Sequence, residues 1–204
     1  MRSAARKVKR AALVLIGISA LASIISASAE AAGPWNARVV DAETGQPLEG
    51  VVVLAYWIKY TSSWGGWAGG EFHDSEEVVT GTDGRFVIQA RSTWTLLPWK
   101  KISGPEFVIF KPGYGQWRFQ GYEAWRKLSL AEQDAQLETT WKQFTGDGVV
   151  IELPPLKTRE ERVKFYHTLS WAPDVPAGRT RRLREAEDVE RAYLGFRKMH
   201  ERKR

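Results

Sequence analysis

NARVVDAETGQPLEGVVVLAYW, residues 36–57, reads as strand, turn and strand. β-Branched residues crowd both ends, and Thr44-Gly45 with Pro47 supply turn chemistry between them. In the second half Val51, Val53, Ala55 and Trp57 share one face, while Val52, Leu54, Tyr56 and Ile58 share the other. A strand with one wet face alternates apolar and polar residues, and this one does not. FVIF, residues 107–110, is likewise apolar on both faces. Something must therefore cover the outer side of these strands, and helices later in the chain are candidates.

Further strands follow the same pattern. EEVVTGTDGRFVIQA, residues 76–90, places Asp83-Gly84 as a tight hairpin turn, after which Phe86, Ile88 and Ala90 alternate with Arg85, Val87, Gln89 and Arg91. In PEFVIFKPGYGQWRF, residues 105–119, Pro112-Gly113 suits the centre of a type II turn. GVVIELPPL, residues 148–156, is a last strand stopped by its proline pair. Short strands separated by turns predict a mainly β protein built as an antiparallel β-sandwich. Ser129 with Glu132 forms a capping box that opens a helix over 130–144, inserted before the last strand. Thr158 with Glu161 repeats the signature. Beyond the Pro173–Gly178 break, residues 179–204 read as a long charged helix with Leu183, Ala186, Val189, Tyr193 and Phe196 along one stripe.

The segments VVDAETGQPLEGVVV, TGTDGRFVI, VIFKPGY and VVIEL, in that order, resemble the carboxypeptidase regulatory-like domain, a small transthyretin-like (prealbumin-like) sandwich. The resemblance covers roughly residues 35–156. It is carried by D-x-x-T-G-x-P-L-x-G-V at 41–51 and T-D-G-x-F at 82–86. It implies a transthyretin-like antiparallel sandwich with an inserted helix and a helical C-terminal tail. It also implies an accessory module of exported proteins, here without the peptidase domain, and it says little about a ligand.

Three segments are expected. Residues 1–29 carry a basic start, an apolar run over 11–25 and Ala27-Ser28-Ala29, the order of a secretory signal peptide. Retention as an N-terminal membrane anchor is the alternative, since about 20 apolar residues span a bilayer. Residues 30–157 form the sandwich and 158–204 a basic helical tail. The expected location is exported, periplasmic or cell-surface, with membrane anchoring by residues 11–29 as the second reading. The chain has no cysteine, so disulfides and thiolate metal clusters are excluded.

Charge is segregated along the chain. Residues 30–156 carry 11 basic and 16 acidic side chains, and residues 157–204 carry 14 and 8. The basic excess of the whole chain thus lies in its two ends, and no nucleic acid is expected as a partner. The tail is suited to an acidic surface or an anionic membrane, the chain's own sandwich being one such surface.

Catalytic signatures are thin. His73 and Glu76 have the H-x-x-E spacing of a zinc site, but a catalytic zinc needs a third ligand and a base, and the other histidines, His167 and His200, lie in the tail. No metal or cofactor is expected, and no residue is assigned a catalytic role. Lys59 is a weak candidate for an intramolecular isopeptide bond. Ten tryptophans are the unusual feature. Trp64, Trp67, Trp94 and Trp99 fall in connections, Trp64 and Trp67 among glycines in SSWGGWAGGEFHD, residues 62–74. They read either as lids folded over one end of the sandwich or as a surface for ligand or partner binding. The expected function is an exported non-enzymatic module that binds an envelope protein or polysaccharide. An unrecognised carboxylate-dependent hydrolase and a membrane-tethered spacer are the alternatives.

Overall fold

The computed structural model describes residues 31–64, 66–118, 129–145, 148–168, 172 and 174–196. Residues 1–29, for which a signal peptide or membrane anchor is expected, lie outside them. Among the described residues ten strands run in chain order: β1 (Ala31–Ala32), β2 (Trp35–Asp41), β3 (Val52–Ser63), β4 (Gly66–Val79), β5 (Arg85–Ile88), β6 (Arg91–Ser92), β7 (Lys100–Ile102), β8 (Glu106–Phe110), β9 (Trp117–Arg118) and β10 (Val149–Leu153). Helix α1 (Leu130–Gln143) precedes β10, and α2 (Arg159–Tyr166) and α3 (Arg181–Leu194) follow it. Strand outweighs helix. None of the helices among the described residues is long and apolar enough to cross a membrane.

Two main sheets face each other. One has the order β10-β2-β5, the other β4-β3-β8-β9 with β7 also paired to β3. Their inner faces meet in a core of Trp35, Ala37 and Val39 from β2, Val53, Ala55 and Trp57 from β3, Phe86 and Ile88 from β5, Phe107 and Ile109 from β8, and Ile151 and Leu153 from β10. Trp35 and Trp57 touch at 5.7 Å between ring centres, and Phe107 stacks on Phe144 at 4.8 Å. Alternation along each strand thus becomes one continuous apolar layer.

Two expectations need correction. The sandwich is not wholly antiparallel: β10 runs parallel to β2, with Ile151 opposite Val39. The long connection through α1 separates β9 in one sheet from β10 in the other, which gives the chain room to re-enter in the parallel sense. The Asp83-Gly84 turn is tight, the Gly84 amide bonding the Gly81 carbonyl at 2.9 Å, but it is not a hairpin. It carries the chain from β4 in one sheet to β5 in the other.

The two turn motifs hold each other. Asp41 accepts from the amides of Thr44 and Glu43 at 2.9 and 2.8 Å, closing the 41–45 turn, and Tyr114 donates to its other oxygen at 3.1 Å. Those bonds, that of Thr44 foremost, hold its carboxyl below the ordinary carboxylate value although the side chain is buried. The Thr80 hydroxyl donates to the Leu48 carbonyl at 2.6 Å and accepts from the Val51 amide at 2.9 Å. Gly84, at φ +72°, passes so close beneath the first turn that a Cβ would lie 2.4 Å from the Val39 carbonyl. The residues that make the motifs recognisable are therefore fold-determining ones.

The tail covers the outer sheet. Val52, Leu54, Tyr56 and Ile58 of β3 and Val108 and Phe110 of β8 form a second apolar cluster with Ala172, Val175, Leu183 and Ala186. Both faces of β3 are buried, as its sequence requires. The predicted stripe is rotated, however: α3 buries Leu183, Ala186, Glu187, Glu190 and Leu194, while Val189 and Tyr193 are 58% and 53% exposed. Two glutamates can sit inward because partners meet them. Arg162 Nε donates to Glu190 at 2.7 Å, the Gly113 amide donates to the same carboxylate at 2.8 Å, and the Tyr166 hydroxyl donates to Glu187 at 2.8 Å. Both capping boxes, Ser129–Glu132 and Thr158–Glu161, are present.

Candidate interaction surface

β3 and β4 are the longest strands, and their shared turn lies at one end of the outer sheet. The ladder runs from Val52 opposite Val79 to Ser63 opposite Gly66, with irregularities between Trp57 and Ile58 and between Lys59 and Thr61. Such irregularities sharpen the local twist of a hairpin. Beyond Thr61 every described side chain of this turn is exposed, and Trp64 stands fully in solvent. The backbone of Trp67 pairs with Ser62. Its side chain lies outside the described part of the structure.

The segment between β6 and β7 joins this end. β7 pairs with β3, Lys100 opposite Thr61 and Ile102 opposite Lys59. The Ser62 amide then donates to the Trp99 carbonyl at 2.7 Å, extending the contact by one bond. Within the loop, the Trp94 amide bonds the Ser92 hydroxyl at 3.3 Å and the Leu97 amide bonds the Thr95 hydroxyl at 3.2 Å. The Lys100 amide bonds the Leu97 carbonyl at 2.9 Å. Serine and threonine at these offsets form local turns. The loop turns its apolar side chains outward: Trp94 is 57%, Leu96 80%, Leu97 38% and Trp99 52% exposed.

Of the four tryptophans singled out in the sequence, Trp64 and Trp99 lie at this end of the sheet and Trp94 in the loop that leads to it, all three exposed, so they are not lids. The inner space they would have filled is occupied by Trp35, Trp57 and Phe144. Leu96 and Leu97 escaped the sequence reading, because only tryptophan was weighed there. The available signal was the run TWTLLPW, residues 93–99, which follows no strand alternation and no helical period. Contiguous exposed apolar side chains mark a contact surface.

A second feature lies at the foot of the loop. Trp57, His73, Asp74, Ala90, Arg91 and Ser92 line a cavity of about 290 Å³. Arg91 bonds both Asp74 and Glu76, the latter at 3.1 Å, and its guanidinium lies 5.0 Å from the centre of the Trp57 ring. The acids of the H-x-x-E stretch are thus bound to an arginine, and His73 itself is exposed. Among the described residues no group of three or more histidine or carboxylate side chains is placed to hold a metal ion. Lys59 is likewise engaged, 2.8 Å from Glu71 at the surface, which is no setting for an isopeptide bond.

No protein-family model, curated protein or solved structure matches this chain.

Proposed function

We propose that the chain is an exported, non-enzymatic accessory module that docks on a component of the cell envelope through the tip formed by the β3–β4 turn and the 93–99 loop. The observation that carries this reading is the exposure of Trp64 on the β3–β4 turn and of Trp94, Leu96, Leu97 and Trp99 on the loop that joins this turn through the Ser62–Trp99 bond. An apolar side chain left in water is poised to gain on burial, about 25 cal/mol per Å² of area removed from water. Export rests on the basic, apolar and small-residue order of residues 1–29.

The fold we assign is the transthyretin-like sandwich of the carboxypeptidase regulatory-like domain. The interlocking of the 41–51 and 80–86 turns supports it. For a non-enzymatic role, the supporting fact is that Asp74, which borders the cavity, and Glu76 beside it are held by Arg91 rather than standing ready for a substrate. The tail packs Ala172, Val175, Leu183 and Ala186 against the chain's own sheet, which favours the tip over the tail as the contact.

A photo-crosslinking amino acid at position 96 in the full chain, activated in cells that make the protein, tests the assignment. Adducts from position 96, absent from position 82 at the opposite end of β4, are the expected result. Equal labelling from both positions, or none from 96, would remove the tip as the contact surface.

A further inference from the structure

The exposed tip has a chemistry that selects among envelope components. We propose that it inserts into the interfacial layer of an anionic lipid bilayer, with Trp94, Leu96, Leu97 and Trp99 entering the layer and Lys100 and Lys101 lying at the headgroups. The proposal rests on the tip being the contact surface, as argued above.

Shape is the first argument. Trp64 and Leu96, the most exposed large apolar residues among those described, belong to a turn and a loop. The cavity beside Arg91 takes Ser92 from the foot of the loop and none of these apolar side chains. A convex apolar tip suits a medium that yields around it. Stacking on sugar rings would call for a platform of aromatic faces, whereas here two leucines separate the tryptophans along the loop.

The backbone supplies the second argument. A peptide group that leaves water must find its hydrogen bond within the protein. The amides of Trp94, Leu97 and Lys100 are closed by Ser92, Thr95 and Leu97, and the Trp99 carbonyl is closed by Ser62. These four bonds lower the cost of taking that part of the loop backbone out of water.

Charge is the third. At the base of the loop Lys100 and Lys101 pair with Thr61 and Tyr60 of β3, and Lys59, two residues before Thr61, binds Glu71 at 2.8 Å. Lysine stems lie along apolar surface with the ammonium at the headgroups, and tryptophan is the side chain that settles at that depth. A negatively charged leaflet attracts such a cluster over about a Debye length.

Because the chain has no cysteine, a single one can be placed and labelled with an environment-sensitive fluorophore. The full-length chain would carry it as Leu96→Cys or, as control, Thr82→Cys, and would be mixed with vesicles of phosphatidylglycerol and phosphatidylethanolamine. The expected result is a several-fold rise and blue shift of emission at position 96 and no change at position 82. That response weakens in phosphatidylcholine vesicles and with Lys100→Glu and Lys101→Glu. Binding through the apolar N-terminus alone would leave position 96 unshifted and overturn the proposal. So would an equal response at both positions, or an equal response to neutral vesicles. Should position 96 stay silent with lipid yet crosslink to an envelope protein in cells, the tip stands as the contact surface and the bilayer falls as its target.

Discussion

Glu77, on the edge strand β4, accepts a hydrogen bond from the amide of Leu183 at 2.9 Å across 106 residues of chain. The same carboxylate accepts from the Arg182 amide at 3.0 Å. The residue at the N-cap position, Thr180, makes no side-chain cap bond of its own. A sheet residue thus supplies the cap that the local sequence of α3 does not, and it favours the helix dipole as well. Replacing a capping side chain by alanine costs about 1 to 2 kcal/mol. Glu77→Ala should lose about that much in urea unfolding, and Glu77→Gln, which retains an acceptor, should lose less.

The tail should behave as part of the core. Removing residues 158–204 uncovers Val52, Leu54, Tyr56, Ile58, Val108 and Phe110, so the truncated chain should aggregate or bind a hydrophobic dye instead of folding as a free sandwich. A monomeric, cooperatively unfolding truncation would contradict this. The point substitution Arg162→Met leaves Glu190, 3% exposed, without its cation. Breaking a buried pair in this way costs about 3 kcal/mol or more, readable as a lowered denaturation midpoint.

The contributions of Glu106 and Glu187 to stability should fall as pH rises through their raised folded values. Burial pushes the Glu106 carboxyl above its ordinary 4.5; the Tyr56 hydroxyl, donating at 2.6 Å, opposes this, and the charge of Asp174 adds to it. A group that binds its proton more tightly folded than unfolded stabilises the fold below its unfolded value and loses that contribution as pH climbs through its raised folded value. Glu187 is raised for the same first reason, burial. Glu106→Gln keeps an acceptor for Tyr56 and removes the titration. Its denaturation midpoint should vary less than that of the parent chain from pH 4.5 upward and should lie higher at neutral pH. Asp41 has the opposite sign: held below its ordinary 3.8, it contributes stability above that value, which disappears as the pH drops through the folded one.

Two glycines with similar backbone angles should respond differently to alanine. Gly45, at φ +69°, has nothing within 4 Å of an added Cβ. Gly45→Ala should cost only the left-handed penalty, about 1 to 2 kcal/mol. Gly84, at φ +72°, would in addition drive its Cβ against the Val39 carbonyl at 2.4 Å, so Gly84→Ala should be clearly worse in the same thermal melt.

At the tip, the expected effect on folding is none. Trp94→Ser and Leu96→Ser alter exposed side chains and should leave the melting temperature within the ordinary scatter of surface changes, about ±0.5 kcal/mol. The same substitutions should abolish crosslinking and the lipid-dependent fluorescence response. A large fall in stability would show that these side chains support the fold.

Much of the architecture was legible because it depends on local rules. The two-faced apolar pattern of residues 51–58 demanded a cover on both sides, and the tail provides it. Capping boxes at Ser129 and Thr158 marked helix starts because their chemistry is complete within four residues. Legibility failed where partners are distant. Val189 and Tyr193 were placed on the buried stripe because glutamate is normally excluded from it, and only Arg162, Tyr166 and the Gly113 amide make Glu187 and Glu190 acceptable there. At the candidate surface the sequence marks Trp64, Trp94 and Trp99 by number and by their place in connections, but whether they plug the sandwich or face water depends on contacts through space, and no local periodicity distinguishes Leu96 and Leu97.

By itself the sequence determined a mainly β chain with covered central strands, a helix before the last strand and a tail of two helices, since periodicity, turn residues and caps act over a few positions. Tertiary structure alone decided that β10 runs parallel to β2, that Asp83-Gly84 passes between sheets, that Glu77 caps a helix 106 residues away, and that a turn and a loop 30 residues apart share one exposed end. Those facts depend on which groups meet through space, where burial and hydrogen-bond closure outweigh what any short stretch prefers.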